Sequence, residues 1–496
     1  MTTIKRGTET NCRDLEGAKG YELLLKKVYT VSSKNDPETP RVWLQSLVCK
    51  RAGFEKGQSL YVSIDEETKE ITIQTKPITN KDTTVSVSGR TIGRGESPIV
   101  EPLVDTASIR YKSIIRVRQK VEINVFRDLQ TLDCKVVIRP LIFNIFDKET
   151  FVKPSDNRIS LLSVCSGAGF GTAAFEETGA FTSVGAIELE EDSAEAFIHN
   201  FPNSYLFNGD LRDVAALPKA DVILATLPCN QASTLGEGME GIMDDLILAT
   251  TEIIRAAESR IVFLENVPKW YKTEGYLRLK SLLLDEYPFW SEATIESFDF
   301  GSIARRKRGY ACAFKTEEEF LAFRFPKPPA APRRKKVREL FDKKDSPNYE
   351  WKPIDTWLNN FNERGKNGGS WKDRSIDKTF VKGNATELQC IPKRYTSQSA
   401  SNSYILSEDE KSFRFLTLKE LMKIFKVPSW FSYPDSIGKI RSYEMIGQSV
   451  DGGIFQAIAN KIAEVFFVNR TRKNKEATQQ LYNFQIDSEE QLGFVF

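Results

Sequence analysis

The sequence predicts an α/β fold, a doubly wound parallel sheet with helices on its faces, preceded by a smaller β-rich domain. Two patterns carry this expectation. From residue 158 onward short apolar runs alternate with helical periods, the order that builds βαβ units. Between about 20 and 150, apolar and polar residues instead alternate along stretches such as "SLYVSIDEETKEITIQTK", "KSIIRVRQKVEINVF" and "CKVVIRPLIF", separated by polar turns. A chain of 496 residues has room for two or three such units, each with its own core.

The elements follow in order. In the first unit, "LVCKRAGFEKGQSLYVSIDEETKEITIQ" is similar to the swapped-hairpin barrels of AbrB- and SymE-like proteins, and it reads equally as an unrelated β hairpin. The second unit opens with strand "ISLLSVCSG" and a helix through "GTAAFEETG". Strand "SVGAIEL", a helix through "SAEAFIHNF", strand "DVILATL", helix "DLILATTEIIRAAES" and strand "IVFLENV" follow. At "FPKPPAAPRRKKV" proline and basic residues interrupt the pattern, as a linker does. A polar stretch rich in Gly, Ser, Asn and Trp runs to about 410, and helices in "TLKELMKIFK" and "GGIFQAIANKIAEVFF" close the globular part.

Composition narrows the chemistry. Seven cysteines without a C-x-x-C pair suit a reducing compartment and make structural zinc improbable. No apolar stretch approaches the ~20 residues that span a bilayer, so a soluble cytoplasmic protein is expected. The single histidine, His199, reads as a helix-surface residue, which removes Ser-His-Asp and Cys-His catalysis. The net charge of +2 is too small to argue nucleic-acid binding by itself, although "ARRKRGY" and "PRRKKVREL" are locally basic.

Candidate site residues gather at the carboxyl ends of the strands. The glycine-rich turn "CSGAGFG", with Ser166, Gly167, Ala168 and Gly169, lets backbone N–H groups approach a ligand. Glu188, before Leu189, stands where a carboxylate accepts from ribose hydroxyls, and Asp210, before Leu211, could accept from an adenine amino group. Each also reads as an ordinary loop carboxylate. The next two strands deliver Cys229, after Pro228, and Glu265 with Asn266 and Val267. A carboxylate raises a neighbouring thiol's pKa, so it is a poor activator of that thiol. The pair makes sense if the carboxyl group protonates an electrophilic heterocycle such as a pyrimidine while sulfur attacks. Arg306 and Arg308 alternate on an expected strand, facing one side, where they would hold a phosphate or base carbonyl and favour thiolate.

These motifs, in this order, resemble the DNA (cytosine-5) methyltransferases over residues 158 to 315 and 412 to 468. "CSGAGFGTAAFE", "AIELEEDSAEAFIHNF", "GDL", "LPCNQAS", "FLENVPKW", "ARRKRGY", "FRFLTLKELMKIFKVP" and "YEMIGQSVDGGIFQAIANKI" are similar to the family's motifs. The resemblance implies a Rossmann-like, S-adenosylmethionine-dependent domain at 156–325, a target-recognition region at 326–411 and C-terminal motifs completing the core at 412–472. An N-terminal β-rich domain at 1–150 and a tail at 473–496 flank them.

The resemblance implies further that a cytosine is flipped out of double-stranded DNA into the crevice. Cys229 adds to C6, Glu265 hydrogen-bonds N3 and the exocyclic amine, and Arg306 and Arg308 assist. Ser166, Gly167, Ala168, Gly169, Glu188, Leu189, Asp210, Leu211, Pro228 and Ser449 hold S-adenosylmethionine, while Asn266, Val267 and Ser233 contact substrate. No metal is implied. Trp351, Trp357, Trp371, Lys382 and Arg394 are expected to face DNA. A cognate restriction nuclease or defence-system proteins are the further partners suggested.

The chain departs from the family pattern at Cys165, Phe170, Asn230, Ala304 and Gln448, all around the cofactor pocket or base site. Two alternatives stay open. One is a tRNA-type RNA cytosine-5 methyltransferase, and the other is a DNA-binding regulator with a catalytically altered domain.

Overall fold

The computed structural model describes residues 20–92, 99–141, 151, 157–228, 240–342, 349–366 and 376–468, the side chains of 240–244 and 364–366 excepted. A thirteen-stranded sheet runs through most of it. Toward one end five parallel strands lie in the spatial order Ile261–Asn266, Val222–Ala225, Ile159–Val164, Phe181–Glu188, Tyr205–Asn208. Lys307–Phe314 joins antiparallel beside Ile261–Asn266, and Phe289–Glu296 forms the outer edge. The order reverses between Ile159–Val164 and Val222–Ala225, which opens a crevice outside their carboxyl ends.

These strands are near-continuous apolar runs because helices cover both of their faces. On one face the helices Glu240–Ala256 and Glu274–Leu283 set Ile247, Ile253, Leu279 and Leu283 against Leu162, Val164, Ile223 and Val262. On the other, the helix at 452–468 packs Ile454, Phe455, Ile458 and Ile462 against Leu161, Val222 and Ile261. The doubly wound α/β expectation is met. No helix among the described residues is long and apolar enough to cross a membrane.

The β-rich N-terminal region does not close on itself. Its strand Tyr21–Thr30 pairs in parallel with Tyr205–Asn208, Leu25 opposite Leu206. Lys120–Asp128, Cys134–Pro140, Glu70–Gln74, Ser59–Asp65 and Thr83–Ser86 continue the same sheet. The "AGFEKG" segment thus leads into a hairpin that pairs within this sheet. A second sheet of Ser32–Lys34, Asp36–Leu44, Ile99–Ala107 and Ser88–Ile92 folds against it around the Ser46–Arg51 helix. Side chains reinforce the backbone junction. Lys27 and Lys50 pair with Glu191 and Glu195, and Arg51 donates to the carbonyls of Pro202 and Ser204.

Between 349 and 414 a small four-stranded sheet surrounds Trp357. Trp357 was expected to face DNA, but it is 1% exposed and stacks on Phe361. Its ring is the centre of this sheet's core, which is where a large aromatic is worth most. Beneath lies a fully buried ion pair, Arg414 Nη1 to Glu420 Oε2 at 2.8 Å, with the Arg414 guanidinium over the Phe341 and Tyr349 rings. Glu420 also completes a capping box with Thr417 at the start of the Leu418–Ile424 helix. Lys382 pairs with Glu410, Trp351 and Arg394 are exposed, and Trp371 lies outside the described residues.

Candidate active site

The turn after Ile159–Val164 takes a path that few side chains allow. Cys165, Gly167 and Gly169 all have positive φ, +54°, +55° and +92°. A Cβ on Gly169 would stand 2.7 Å from the Phe201 ring and 2.9 Å from that of Phe197, whereas one on Gly167 would meet nothing within 4 Å. Gly169 is therefore fixed by packing, and Gly167 by its backbone and the open space above it. Ala168 is buried, and Ser166 Oγ donates to the Gly167 carbonyl. Phe170, the first helical residue, stacks on Phe431 with centroids 4.6 Å apart, so this departure from the family pattern is a packing residue. The half-buried Cys165 thiol is pushed far up by desolvation, then by Glu188 and Asp210, which disfavours its thiolate.

Glu188 ends the next strand. Its carboxylate accepts from the N–H groups of Gly167 at 2.7 Å and Glu190 at 2.8 Å. Burial raises its pKa more than these bonds lower it. Leu189 beside it is 61% exposed, an apolar side chain left bare at the mouth of the crevice. Asp210 is held by Arg212 through Nε at 2.9 Å and Nη2 at 2.5 Å, which depresses its pKa and keeps it an acceptor. The side chain of Leu211 packs into the core, so only its backbone is available to a ligand. Ser449 Oγ donates to the Ile446 carbonyl at 2.6 Å, so the expected cofactor contact would have to use its lone pairs.

Together, open space above Gly167, a fixed carboxylate at Glu188, bare Leu189 and an ionised Asp210 fit a nucleoside carrying a short polar chain. S-adenosylmethionine is such a group. Ser166 to Gly169 would hold its methionine end, Glu188 the ribose, and Leu189 and Asp210 the adenine.

The neighbouring strand ends place the polar centre. Glu265 is 8% exposed, and its Oε1 lies 3.2 Å from Arg308 Nε. Burial raises the Glu265 pKa, and Arg308 and then Arg306 oppose that rise without cancelling it. Arg306 was expected on a strand with Arg308. It instead precedes the strand Lys307–Phe314, its N–H bonded to Glu296 Oε1, because its side chain turns into the interior. There Nη1 donates to the carbonyls of Ile391 and Gly447 at 3.4 and 3.3 Å, and Nε has no partner. Burial, then Arg308, lowers its pKa to about 10, leaving it cationic at neutral pH.

Asn266, expected as a substrate contact, makes structural bonds within the chain. Its Nδ2 donates to the Leu227 carbonyl at 3.0 Å and its Oδ1 accepts the Val267 N–H, so it ties the end of one strand to the segment entering Cys229. Val267 is packed against the core. Pro228 is exposed, while Cys229, Asn230 and Ser233 lie outside the described residues. His199 is exposed and bonds Ser432 Oγ, as a helix-surface residue would. Ala304 pairs with Leu388, and Gln448 is an exposed helix end.

Tyr271 was not anticipated. Its hydroxyl lies 3.0 Å from the carbonyls of both Leu264 and Gly309, bracing the two strands that present Glu265 and Arg308. A Cβ on Gly309 would sit 2.4 Å from that ring. Only the register of Gly309 opposite Asn266 reveals the contact; nothing in "PKWYK" announces it.

Comparison with known proteins gives a consistent result. A family model described as C-5 cytosine-specific DNA methylase matches residues 159–464. Among curated proteins, the type II methyltransferase M.Bsp6I of Bacillus sp. (strain RFL6) is 25% identical over 317 residues, covering 61% of this chain and 98% of its own. The type II methyltransferase M.HhaI of Haemophilus parahaemolyticus is 25% identical over 177 residues, 34% of this chain and 53% of its own. In fold, the chain is similar to a crystal structure of a Spodoptera frugiperda DNMT2 mutant, with a TM-score of 0.50 at 17% identity, covering 61% of this chain and 99% of that one.

Proposed function

The chain belongs to the C-5 cytosine-specific DNA methylase family, and from that premise we propose that it methylates C5 of a cytosine flipped out of duplex DNA, with Cys229 as nucleophile. S-adenosylmethionine, when bound, supplies an electrophilic methyl group. The observation that carries the reading is the buried Glu265 carboxyl, raised in pKa by its burial yet aimed by Arg308 at 3.2 Å. A carboxyl so placed can give a hydrogen bond or a proton to a ring nitrogen, which an exposed carboxylate at neutral pH cannot.

The steps assigned to the chain's own residues follow. Cys229 sulfur forms a bond to C6 of the base while Glu265 delivers its proton to N3, so the C5–C6 π pair shifts to C4–C5, the C4–N3 π pair takes the proton, and the resulting enamine is nucleophilic at C5. With C5 methylated, its hydrogen leaves as a proton to water, the C6–sulfur bond breaks and thiolate departs. N3 returns its proton to Glu265. Arg308 orients Glu265, and buried cationic Arg306 adds positive potential that favours thiolate in the same crevice. Asn266, holding the Leu227 carbonyl, fixes the chain two residues before Cys229. The region 326–411 is assigned to target recognition, and Trp351 and Arg394 are its exposed candidates for contacting DNA.

The test is incubation of the purified protein with methyl-labelled S-adenosylmethionine and unmethylated genomic DNA, with bulk tRNA in parallel, followed by nucleoside mass spectrometry. The expected product is 5-methylcytosine in DNA, absent with Cys229→Ser. Product in tRNA alone would replace the substrate, and product that persists in Cys229→Ser would remove the covalent step.

A further inference from the structure

The N-terminal region brings an unassigned basic edge to the side of the sheet on which the crevice opens. Tyr21–Thr30 runs parallel to Tyr205–Asn208, so Thr30 lies on the same edge as the carboxyl ends of the catalytic strands. Thr30 pairs with Lys120, so the segment entering Lys120–Asp128 lies there too. That segment, "ASIRYKSIIRVRQKV", carries Arg110, Lys112, Arg116, Arg118 and Lys120 and no acidic residue, and all five cations are exposed.

A basic run is ordinarily a solvated face whose charges find partners. Here Lys112 pairs with Glu38 and Lys120 with Asp213, three residues beyond Asp210. Asp36, the other acid of the adjoining loop, is engaged by Thr39 and by its own turn. No ion pair to Arg110, Arg116 or Arg118 occurs among the described residues.

The turn that presents two of these arginines is locked. The N–H of Arg118 donates to Val31 O at 2.7 Å and that of Val31 to Gln119 O at 2.9 Å, while the Arg116 N–H donates to Gln119 Oε1 at 2.8 Å. Arg118 is held at φ +69°, a conformation a side-chain-bearing residue keeps only when its surroundings enforce it. A rigid turn that carries unpaired guanidinium groups contacts an anion at little ordering cost.

We propose that residues 109–120 form a phosphate-contacting surface for the duplex that flanks the target base, an inference that rests on the DNA-substrate reading above. From Val222–Ala225 to Lys120–Asp128 there are five strand spacings, about 24 Å at ~4.8 Å each. That is on the order of seven base pairs of duplex. Two strands further out, the turn with Asp65, Glu66, Glu67 and Glu70 is acidic and bounds the surface.

The test uses the full-length protein and a 40-bp cytosine-containing duplex of arbitrary sequence, because phosphate contacts need no recognition site. Kd is measured against salt for the native protein and for Arg110→Gln/Arg116→Gln/Arg118→Asn, asparagine being tolerant of positive φ. A control neutralises Lys56 and Lys76 at the opposite edge. The triple variant is expected to flatten the slope of log Kd against log salt by about two to three, with affinity lowered about ten-fold or more at low salt. Its melting temperature matches that of the native protein, which shows that the variant is folded. A slope equal to the control's overturns the surface. A loss seen on tRNA but not on the duplex overturns it in favour of RNA. If the native protein methylates no DNA, the substrate reading has failed, an outcome separate from either slope result.

Discussion

Arg308 Nε stands 3.2 Å from Glu265 Oε1 across two antiparallel neighbours, because Asn266 pairs with Gly309 and leaves Arg308, within its own strand, just beyond the end of Ile261–Asn266. The guanidinium there can hold the carboxyl group in place while burial still raises that group's pKa against its field.

Arg308→Lys keeps the charge and removes the planar donor set. If orientation of Glu265 is its contribution, single-turnover methyl transfer falls about 10²-fold or more, the scale of a lost preorganised donor. DNA affinity changes far less. A rate within a few-fold of native would show that charge alone suffices.

The raised pKa of Glu265 has a stability signature. Its folded form binds a proton more readily than its unfolded form, with an ordinary value of about 4.3. The stability it contributes is therefore complete below that value and is lost as pH rises through the folded pKa. Glu265→Gln cannot titrate, while the other raised carboxyls, Glu188 and Asp451, titrate in both proteins. Thermal melts from about pH 4 to 8 should show the variant gaining on the native protein as pH rises. A pH-independent difference would falsify the dominance of burial at this site.

Two glycines of one turn should fail differently. Gly169→Ala drives a Cβ into Phe197 and Phe201 at φ +92°, so it should cost about 1–3 kcal/mol of stability. Gly167→Ala meets no atom within 4 Å, so its stability loss should be the smaller. Its new methyl group enters the open space, and the affinity for S-adenosylmethionine should fall more than with Gly169→Ala. Melts and calorimetric titration of both variants decide this, and identical behaviour would mean that the crevice does not lie over Gly167.

Much of the catalytic half was legible because its strands are short apolar runs, each ending in a distinctive polar motif. Glu188 and Glu265 stand at the carboxyl ends of parallel strands, as the parallel-sheet reading requires, and Arg308 opens the antiparallel strand beside Glu265. What the sequence hid depends on long-range pairing. Trp357 looked available to DNA because a polar stretch surrounds it, yet it packs against Tyr404, nearly fifty residues later. The backbone groups that Asn266 and Ser449 satisfy were hidden as well, since periodicity cannot locate them. Tyr271 became visible only with the strand register.

The sheet continuity makes its own demand on the N-terminal region. Tyr205–Asn208 is paired by Tyr21–Thr30 along Leu206 to Asn208, with Leu206 and Phe207 buried, and Lys27 and Lys50 tie the preceding helix, Glu191–Asn200, to the same region. M.Bsp6I aligns over 98% of its own length with 61% of this chain. Here the neighbouring strand is built into the catalytic sheet. A chain beginning at residue 151 would expose the backbone edge of Tyr205–Asn208 and leave Glu191 and Glu195 without their lysines, an open template for pairing with another copy. It should melt below the full-length protein and self-associate in light scattering. If it stayed monomeric with an unchanged melting temperature, the N-terminal strands would be an attachment to the catalytic sheet and no part of its stability.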